Sequence, residues 1–195
     1  MNNLVNDYVW YLGYGSNICK GRFYCYIKGR KWPLGGSETK GCDVQTEPIE
    51  NHSFEINHEL YFGYKSSSWD FGGVAFIKPT FHNSKKTKAR IWKILYSQYA
   101  QIKELEGITL YDKELIVGEY EGLPIYTITS TNDKNVNPPS DKYLKTIMIG
   151  LAEIGLTSNE IISYLYEQTG TKRSISELEN ILNSFNDYEL FESKL

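Results

Sequence analysis

The order of the patterns along the chain constrains the fold most, because strand-like runs come first and helical periodicity comes afterwards. About six short apolar runs, rich in β-branched and aromatic residues, occupy the chain up to residue 128. After Pro138-Pro139, apolar residues recur at the three- and four-residue spacing of helices. Runs of strands followed by runs of helices are typical of α+β domains, so we expect a small curled sheet or barrel with helices packed against it.

The first strand leads into a turn of unusual composition. Residues 8–12 (YVWYL) are apolar and aromatic, as in a buried strand. In the next five residues, Gly13-Tyr14-Gly15-Ser16-Asn17, two glycines allow close backbone approaches that a Cβ would prevent. We expect Ser16 or Asn17 to cap a helix over residues 18 to about 28.

This turn has the composition of an anion-binding loop. A strand that passes through a glycine-rich turn into a helix directs several backbone N–H groups toward one point, which favours a carboxylate or a developing oxyanion. Ser16 and Asn17 add side-chain donors. A tight turn without a ligand would use the same residues, and the lysine of a phosphate-binding P-loop does not follow.

A second pattern places a carboxylate at the end of a short helix. Ser97 is a plausible N-cap, and apolar residues at helical spacing predict a helix over 98–106, with Gly107 as the glycine that follows its end. The negative end of the helix dipole raises the pKa of a carboxyl group there, and partial burial raises it further. Glu106 is therefore a candidate proton carrier near neutral pH, although a solvated Glu ending a surface helix shows the same pattern.

The composition favours an ordinary globular chain. The 195 residues include 21 basic and 24 acidic residues, giving a net charge of −3, so no strong field favours nucleic acid. We expect one domain over residues 1–195. No apolar run is long enough to span a membrane, and the N-terminus lacks the pattern of a signal peptide, which predicts a cytoplasmic protein without a membrane partner.

Three cysteines, Cys19, Cys25 and Cys42, and three histidines are too few and too irregularly spaced to suggest a disulfide framework or a metal site. We therefore predict reduced thiols, with no metal and no cofactor. The basic segment 82–88 (HNSKKTK) is more typical of a solvated hairpin loop than of a phosphate-binding patch. Pro79 is expected to end the strand over 74–78, and residues 52–56 alternate weakly, like an edge strand.

Several segments in a fixed order resemble the γ-glutamylcyclotransferase-like family, which includes the AIG2-like proteins. The resemblance covers most of residues 8–155. It rests on five segments: Tyr14-Gly15-Ser16-Asn17 after the first strand, residues 72–76 (GGVAF), Glu106-Gly107, residues 122–127 (GLPIYT) and residues 139–143 (PSDKY). It implies an α+β fold with a small mixed or antiparallel β-barrel, flanking helices and a helical C-terminal third, in which helices from about 140 to 186 pack on the barrel.

The resemblance also implies a reaction and a site. The substrate would be a small γ-glutamyl molecule, whose α-amine attacks its own γ-carbonyl to give 5-oxoproline and a released amine or amino acid. Tyr14, Gly15, Ser16 and Asn17 would bind the γ-glutamyl part, Tyr143 would line the pocket, and Glu106 would be the catalytic acid and base. Two alternatives remain open: a non-catalytic binding or scaffold domain of the same fold, and hydrolysis or transfer of another γ-glutamyl or acyl amide.

Overall fold

The computed structural model describes residues 8–184. The strands are β1 Tyr8–Gly13, β2 Glu50–Ile56, β3 His58–Ser66, β4 Gly72–Phe81, β5 Thr87–Leu95, β6 Lys113–Tyr120 and β7 Leu123–Thr129. The α-helices are α1 Lys20–Lys28, α2 Tyr96–Leu105, α3 Asp141–Glu153, α4 Ser158–Tyr166 and α5 Ile175–Asn183. The last residues of the helical segment that we expected to reach about residue 186 lie outside the described residues.

Five strands form one mixed sheet in the order β2-β5-β1-β7-β6. The buried first strand lies in the middle, antiparallel to β5 and parallel to β7. Strand β2 lies at one edge, as its weak alternation predicted. A two-residue turn at Glu121-Gly122, with φ of 51° and 74°, joins β6 to β7, and two positive φ angles match the right-handed twist of a hairpin.

The closed barrel that we expected is not found. Strands β3 and β4 form a separate hairpin, and no backbone ladder joins this hairpin to the five-stranded sheet within residues 8–184. Side chains make the connection instead: the hydroxyl of Thr129 donates to the carbonyl of Ile77 (2.6 Å) and that of Thr87 to the carbonyl of His58 (2.7 Å). The pairing of β3 with β4 shifts register at two places, and such irregularities bend strands and interrupt the regular pairing that a closed ladder requires.

Two local predictions are corrected as well. Pro79 lies inside β4 rather than at its end, because it falls where the register shifts between the His58–Phe81 and Leu60–Ile77 pairs and no regular ladder position needs its missing N–H. Helix α2 is capped at Leu95, not at Ser97. The side chain of Gln98 accepts a hydrogen bond from the Leu95 N–H (3.1 Å), which places the start of the helix one residue before Ser97.

Neither Ser16 nor Asn17 caps α1. Residues Ser16–Ile18 form a 3₁₀ turn, and Cys19 is the N-cap of α1 without any side-chain cap bond. The turn brings the chain around so tightly that α1 starts only at Lys20. The Asn17 side chain is thereby left for contacts elsewhere.

The topology brings the end of α2 back to this turn. Strand β5 is antiparallel to β1 and ends beside it, with Leu95 opposite Tyr8. Helix α2 starts there, and its ten residues span about 15 Å. Strand β1, with six residues, spans about 20 Å. A helix that runs back along the strand therefore ends close to the turn that follows β1.

Helix α3 supports the same turn from another side. Its N-cap is Ser140, whose side chain accepts a hydrogen bond from the Tyr143 N–H (3.3 Å). Farther along the helix, a Cβ on Gly150 would lie 2.4 Å from the backbone nitrogen of Cys19 and 2.6 Å from the carbonyl carbon of Ile18. The helix can pack this closely on the 3₁₀ turn only because residue 150 has no side chain.

Candidate functional site

The two features that the sequence singled out meet in the structure. The side-chain amide of Asn17 donates a hydrogen bond of 2.5 Å to Oε1 of Glu106, across 89 positions of the chain. Both residues line a small cavity of about 30 Å³, which is roughly the volume of one water molecule. The lining is Tyr11, Tyr14, Gly15, Ser16, Asn17, Ala75, Glu106, Tyr111, Ile128 and Tyr143. All six candidate site residues therefore border one cavity.

Asn17 is held by hydrogen bonds to its side-chain nitrogen and its backbone carbonyl, whereas its side-chain oxygen has none in the described part of the chain. It is 4% exposed, and its amide nitrogen also donates to the Tyr11 hydroxyl (3.0 Å). Its backbone carbonyl accepts a hydrogen bond from the indole of Trp92 (3.0 Å). The side-chain oxygen, Oδ1, has no hydrogen-bond partner in the described part of the chain. Since buried polar atoms are nearly always satisfied, this acceptor marks a place for a donor.

The two glycines of the turn are needed for close contacts rather than for unusual backbone angles. A Cβ on Gly13 would lie 2.9 Å from the Cβ of Asn17. A Cβ on Gly15 would lie 2.8 Å from the Tyr143 hydroxyl and 3.0 Å from the Cβ of Ala75. These distances are shorter than carbon contacts tolerate, so the expectation of close backbone approaches is confirmed.

Two tyrosines line the cavity with hydroxyl groups bound to backbone atoms. The Tyr143 hydroxyl accepts a hydrogen bond from the Ala75 N–H (3.0 Å) and also interacts with the backbone and side chain of Ser16. Burial raises the pKa of Tyr143 to about 12, so its phenol is neutral at physiological pH. The Tyr14 hydroxyl donates to the carbonyl of Ile128 (2.7 Å). Both rings therefore shape the cavity as neutral groups.

Glu106 has the electrostatics of a proton carrier. It is the residue that ends α2, and it is half-buried. Burial raises the pKa of its carboxyl group, whereas the positive charge of Arg22 and hydrogen bonds from Asn17 and Tyr26 act in the opposite direction. The direction agrees with the sequence argument, but the main cause is burial rather than the helix end.

This shift makes a prediction about stability. A carboxyl group with a raised pKa in the folded state stabilises the fold at low pH, and this contribution is lost as the pH rises through the folded-state pKa. We therefore expect Glu106→Gln, which mimics the protonated form, to gain thermal stability relative to the parent protein as the pH is raised from 4 to 8. Thermal unfolding over that range measures the difference, and a constant difference at all pH values would contradict the burial argument.

A larger cleft adjoins the cavity. Its volume is about 350 Å³, and it shares four lining residues with the cavity: Ser16, Glu106, Tyr111 and Tyr143. Arg22 and Tyr26 of α1 and the buried Trp69 also line it. Glu106 therefore borders both a small cavity and a larger cleft.

Sequence reasoning missed several of these residues. Tyr11, Arg22, Tyr26 and Tyr111 were not among the candidates, although Tyr11 and Tyr111 line the cavity and Arg22 and Tyr26 line the adjoining cleft. A signal was present for the pair on α1, since Arg22 and Tyr26 are four residues apart and share one helix face. Trp69 borders the cleft while remaining packed, with 5% of its surface exposed.

The remaining chemistry-bearing groups do not form a second centre. In residues 8–184, no group of three or more His, Cys, Asp or Glu side chains is arranged to hold a metal ion. The three cysteines are buried and unpaired with one another, and burial raises the pKa of Cys42 to about 11 and that of Cys19 and Cys25 as well. None of the helices in this part of the chain has the length and apolar character needed to cross a membrane.

Solved structures with similar folds are known. A structure titled "Gamma-glutamyl cyclotransferase" aligns with a TM-score of 0.60 and 22% identity, over 91% of this chain and 99% of that one. An uncharacterized protein from Homo sapiens, loc79017, aligns with a TM-score of 0.59 and the same identity and coverage. YkqA from Bacillus subtilis aligns with a TM-score of 0.52 and 16% identity, over 91% of this chain and 55% of that one. These identities establish likeness of fold.

Comparison of the sequence with known proteins gives little beyond the similar folds. No protein-family model matches the chain. A curated relative, histone deacetylase 5 of Arabidopsis thaliana, is 27% identical in a match that covers 78% of this chain and 29% of that protein. The chain thus corresponds to less than a third of the length of this relative.

Proposed function

We propose that this chain, whose fold is that of the γ-glutamylcyclotransferases, cyclises a γ-glutamyl amide to 5-oxoproline and releases an amine or an amino acid. The observation that carries the proposal is the hydrogen bond between Asn17 and Glu106 inside one cavity. A half-buried carboxyl group with a raised pKa, beside a turn of polar groups, is the arrangement that proton transfer at an amide needs.

In this reaction the substrate provides its own nucleophile. The α-amine nitrogen forms a bond with the γ-carbonyl carbon, and the bond from that carbon to the amide nitrogen breaks. The α-ammonium group loses two protons, one before the attack and one as the lactam forms, and the departing nitrogen gains two to leave as an ammonium group, so the reaction is balanced without a further reactant. Holding the substrate in the folded conformer can supply several kcal/mol of the barrier.

Glu106 is the group that moves the proton. As a carboxylate it takes a proton from the α-ammonium group, and as a carboxylic acid it gives a proton to the departing nitrogen. One carboxyl group performs both steps well only if its pKa is closer to the working pH than that of a solvated glutamate. Burial at the end of α2 shifts the pKa of Glu106 in this direction.

The turn after β1 binds and orients the γ-glutamyl part. The unpartnered Oδ1 of Asn17 is a buried acceptor, and it suits the N–H groups of the substrate α-amine. Backbone N–H groups at Gly15 and Ser16 are the donors that we assign to the substrate carboxylate or to the oxyanion that forms at the γ-carbonyl. Tyr14 and Tyr143 close the sides with neutral rings.

The volumes suggest how the substrate divides between the two spaces. The inner cavity of about 30 Å³ accommodates only a few atoms, so it fits the reacting groups rather than a whole substrate. The adjoining cleft of about 350 Å³ is in the range of small-molecule pockets. We therefore assign the departing amine or amino acid to the cleft.

A substrate panel tests the proposal. The purified protein is incubated with γ-glutamyl dipeptides and γ-glutamyl amines, and the release of 5-oxoproline is measured. Free 5-oxoproline from at least one member supports cyclisation, whereas release of glutamate or of a transferred γ-glutamyl product points to hydrolysis or transfer. Saturable binding without turnover across the panel would identify a non-catalytic domain of the same fold.

Two substitutions test whether the turn binds substrate or has only a structural role. We expect Asn17→Ala to lower kcat more than Ser16→Ala, because Asn17 contacts Glu106 directly and Ser16 acts on the wall formed by Tyr143. Both variants should raise KM for a γ-glutamyl substrate with only modest loss of thermal stability. Steady-state kinetics and thermal unfolding are the measurements, and an equal, large loss of folding in both variants would favour a structural role.

A further inference from the structure

Arg22 is a buried cation close to the proposed site. It is 2% exposed, and no aspartate or glutamate in residues 8–184 forms a salt bridge with it. A buried charge without a nearby counter-charge is costly, so such a residue is expected to serve a partner. The acidic group whose charge acts on Arg22 is Glu106.

The contact between the two is indirect and passes through Tyr26. A guanidinium nitrogen of Arg22 donates to the Tyr26 hydroxyl (2.8 Å), and the guanidinium lies over the Tyr26 ring at 4.3 Å from the ring centre. The hydroxyl hydrogen of Tyr26 is thereby free for another acceptor. Glu106 borders the same cleft as Arg22 and Tyr26, and the Tyr26 hydroxyl acts to lower the pKa of the Glu106 carboxyl group. Trp69 lies on the far side, with its ring centre 5.9 Å from the guanidinium.

We propose that Arg22 and Tyr26 are positioning residues for Glu106: the buried guanidinium orients the Tyr26 hydroxyl, and that hydroxyl holds the Glu106 carboxylate beside the cavity in its ionised form. The inference deepens the proposed function, on which it rests, and assigns to α1 a role in the proton transfer. Neither residue touches the reacting atoms. They act through the ionisation and the orientation of the Glu106 carboxyl group.

Other groups that face Glu106 do not supply this positive charge. Four further tyrosines lie near Glu106, and their raised pKa values keep them neutral. They are Tyr11 of β1, Tyr14 of the turn, Tyr111 after α2, and Tyr143 of α3. Cys25 on α1 interacts with Arg22 as a thiol. Lys40 and Glu38 border the cleft together and have opposite charges. Arg22 is therefore the cation that we assign to Glu106.

The test compares matched variants by two measurements. Tyr26→Phe removes one hydroxyl and keeps the ring under Arg22. Tyr24→Phe removes a hydroxyl from the same helix; this hydroxyl lies 3.5 Å from Glu47, and Tyr24 lines neither the cavity nor the cleft. Arg22→Gln removes the charge, and Arg22→Lys keeps it without the planar fork. The first measurement is the NMR titration of ¹³C-labelled glutamate side chains, with the Glu106 signal assigned by its loss in Glu106→Gln. The second is the pH dependence of kcat/KM for 5-oxoproline release.

The expected result is a shift in one direction. The Glu106 titration and the acid limb of kcat/KM should move to higher pH in Arg22→Gln and in Tyr26→Phe, because each change removes a group that stabilises the carboxylate. In Arg22→Lys, the Glu106 titration and the acid limb should lie close to their pH in the parent protein. Tyr24→Phe should leave both unchanged. If Arg22→Gln does not fold, Tyr26→Phe and Arg22→Lys still give the comparison.

The positioning role can be wrong while the proposed function is correct, and the proposed function can be wrong while the positioning role is correct. A folded Tyr26→Phe or Arg22→Gln variant with an unchanged Glu106 titration would overturn the positioning role even if 5-oxoproline is released at the normal rate. If the parent protein releases no 5-oxoproline from any substrate, the proposed function fails, yet the NMR titration still decides whether Arg22 and Tyr26 control the ionisation of Glu106.

Discussion

Replacing Glu106 by glutamine is expected to lower kcat for 5-oxoproline release by about 10²- to 10⁴-fold, the range typical of general acid–base catalysis. Glutamine has nearly the same shape, and its carbonyl oxygen can still accept the hydrogen bond from Asn17 that Oε1 accepts at 2.5 Å. It cannot take a proton from the substrate ammonium group at any useful pH. The loss should therefore appear in kcat far more than in KM.

A control on the neighbouring carboxylate makes this result specific. Glu104 is exposed and lies on the last turn of α2, outside the cavity lining. Glu104→Gln removes the same charge from the same end of the helix, so it should leave kcat nearly unchanged. Full activity of Glu106→Gln, measured beside this control, would exclude Glu106 as the proton carrier and with it the proposed mechanism.

The second large effect is expected at a residue that does not line the cavity, Gly150 of α3. A Cβ at this position would lie 2.4 Å and 2.6 Å from backbone atoms of Cys19 and Ile18, which cannot rotate away as a side chain could. We expect Gly150→Ala to cost about 1–3 kcal/mol in the free energy of unfolding, as overpacking does. The 3₁₀ turn would have to move, and a displacement of about 1 Å can lower the rate by about 10²-fold.

The direction of this effect is unusual for a helix. Alanine in place of an interior glycine ordinarily stabilises a helix by about 0.5–1 kcal/mol, so a loss of stability identifies the contact rather than the helix propensity. Ala152→Gly is the matched control, because Ala152 is exposed on the same helix. It should cost about 1 kcal/mol and leave the activity of the folded protein intact. Denaturant unfolding and kcat/KM measure both, and a Gly150→Ala variant that is as stable and as active as the parent would contradict the packing argument.

Local signals in the sequence predicted the parts of the site that depend on neighbouring residues. The close approaches at Gly13 and Gly15 follow from the glycines themselves, and the carboxyl group at the end of α2 follows from helical spacing ahead of Gly107. Ser140 and Thr157 cap helices in the structure by accepting bonds from N–H groups three residues later, which is also a local pattern.

Features that depend on packing between distant segments could not be predicted in the same way. The role of Asn17 was expected to include a helix cap, but its amide is drawn instead to Glu106, 89 positions away. The environment of Arg22 depends on Tyr26 and Trp69, of which only Tyr26 is nearby in sequence. A closed barrel requires backbone hydrogen bonds between every pair of neighbouring strands. The hydrophobic pattern of the sequence does not indicate that the β3–β4 hairpin contacts the sheet through threonine hydroxyls instead.

The return path of α2 has a consequence for how this protein comes into being. Asn17 and Glu106 are joined only after β1 has paired with β5 and α2 has docked, and α3 must then close on the same turn through Gly150. Contacts between such distant positions form slowly during folding, because a long loop must be closed before any of them is gained. A nascent chain that has emerged only as far as β7 would hold both residues and still lack the helix that supports them. The proposed activity should therefore arise only after α3 has been synthesised and has docked on the turn.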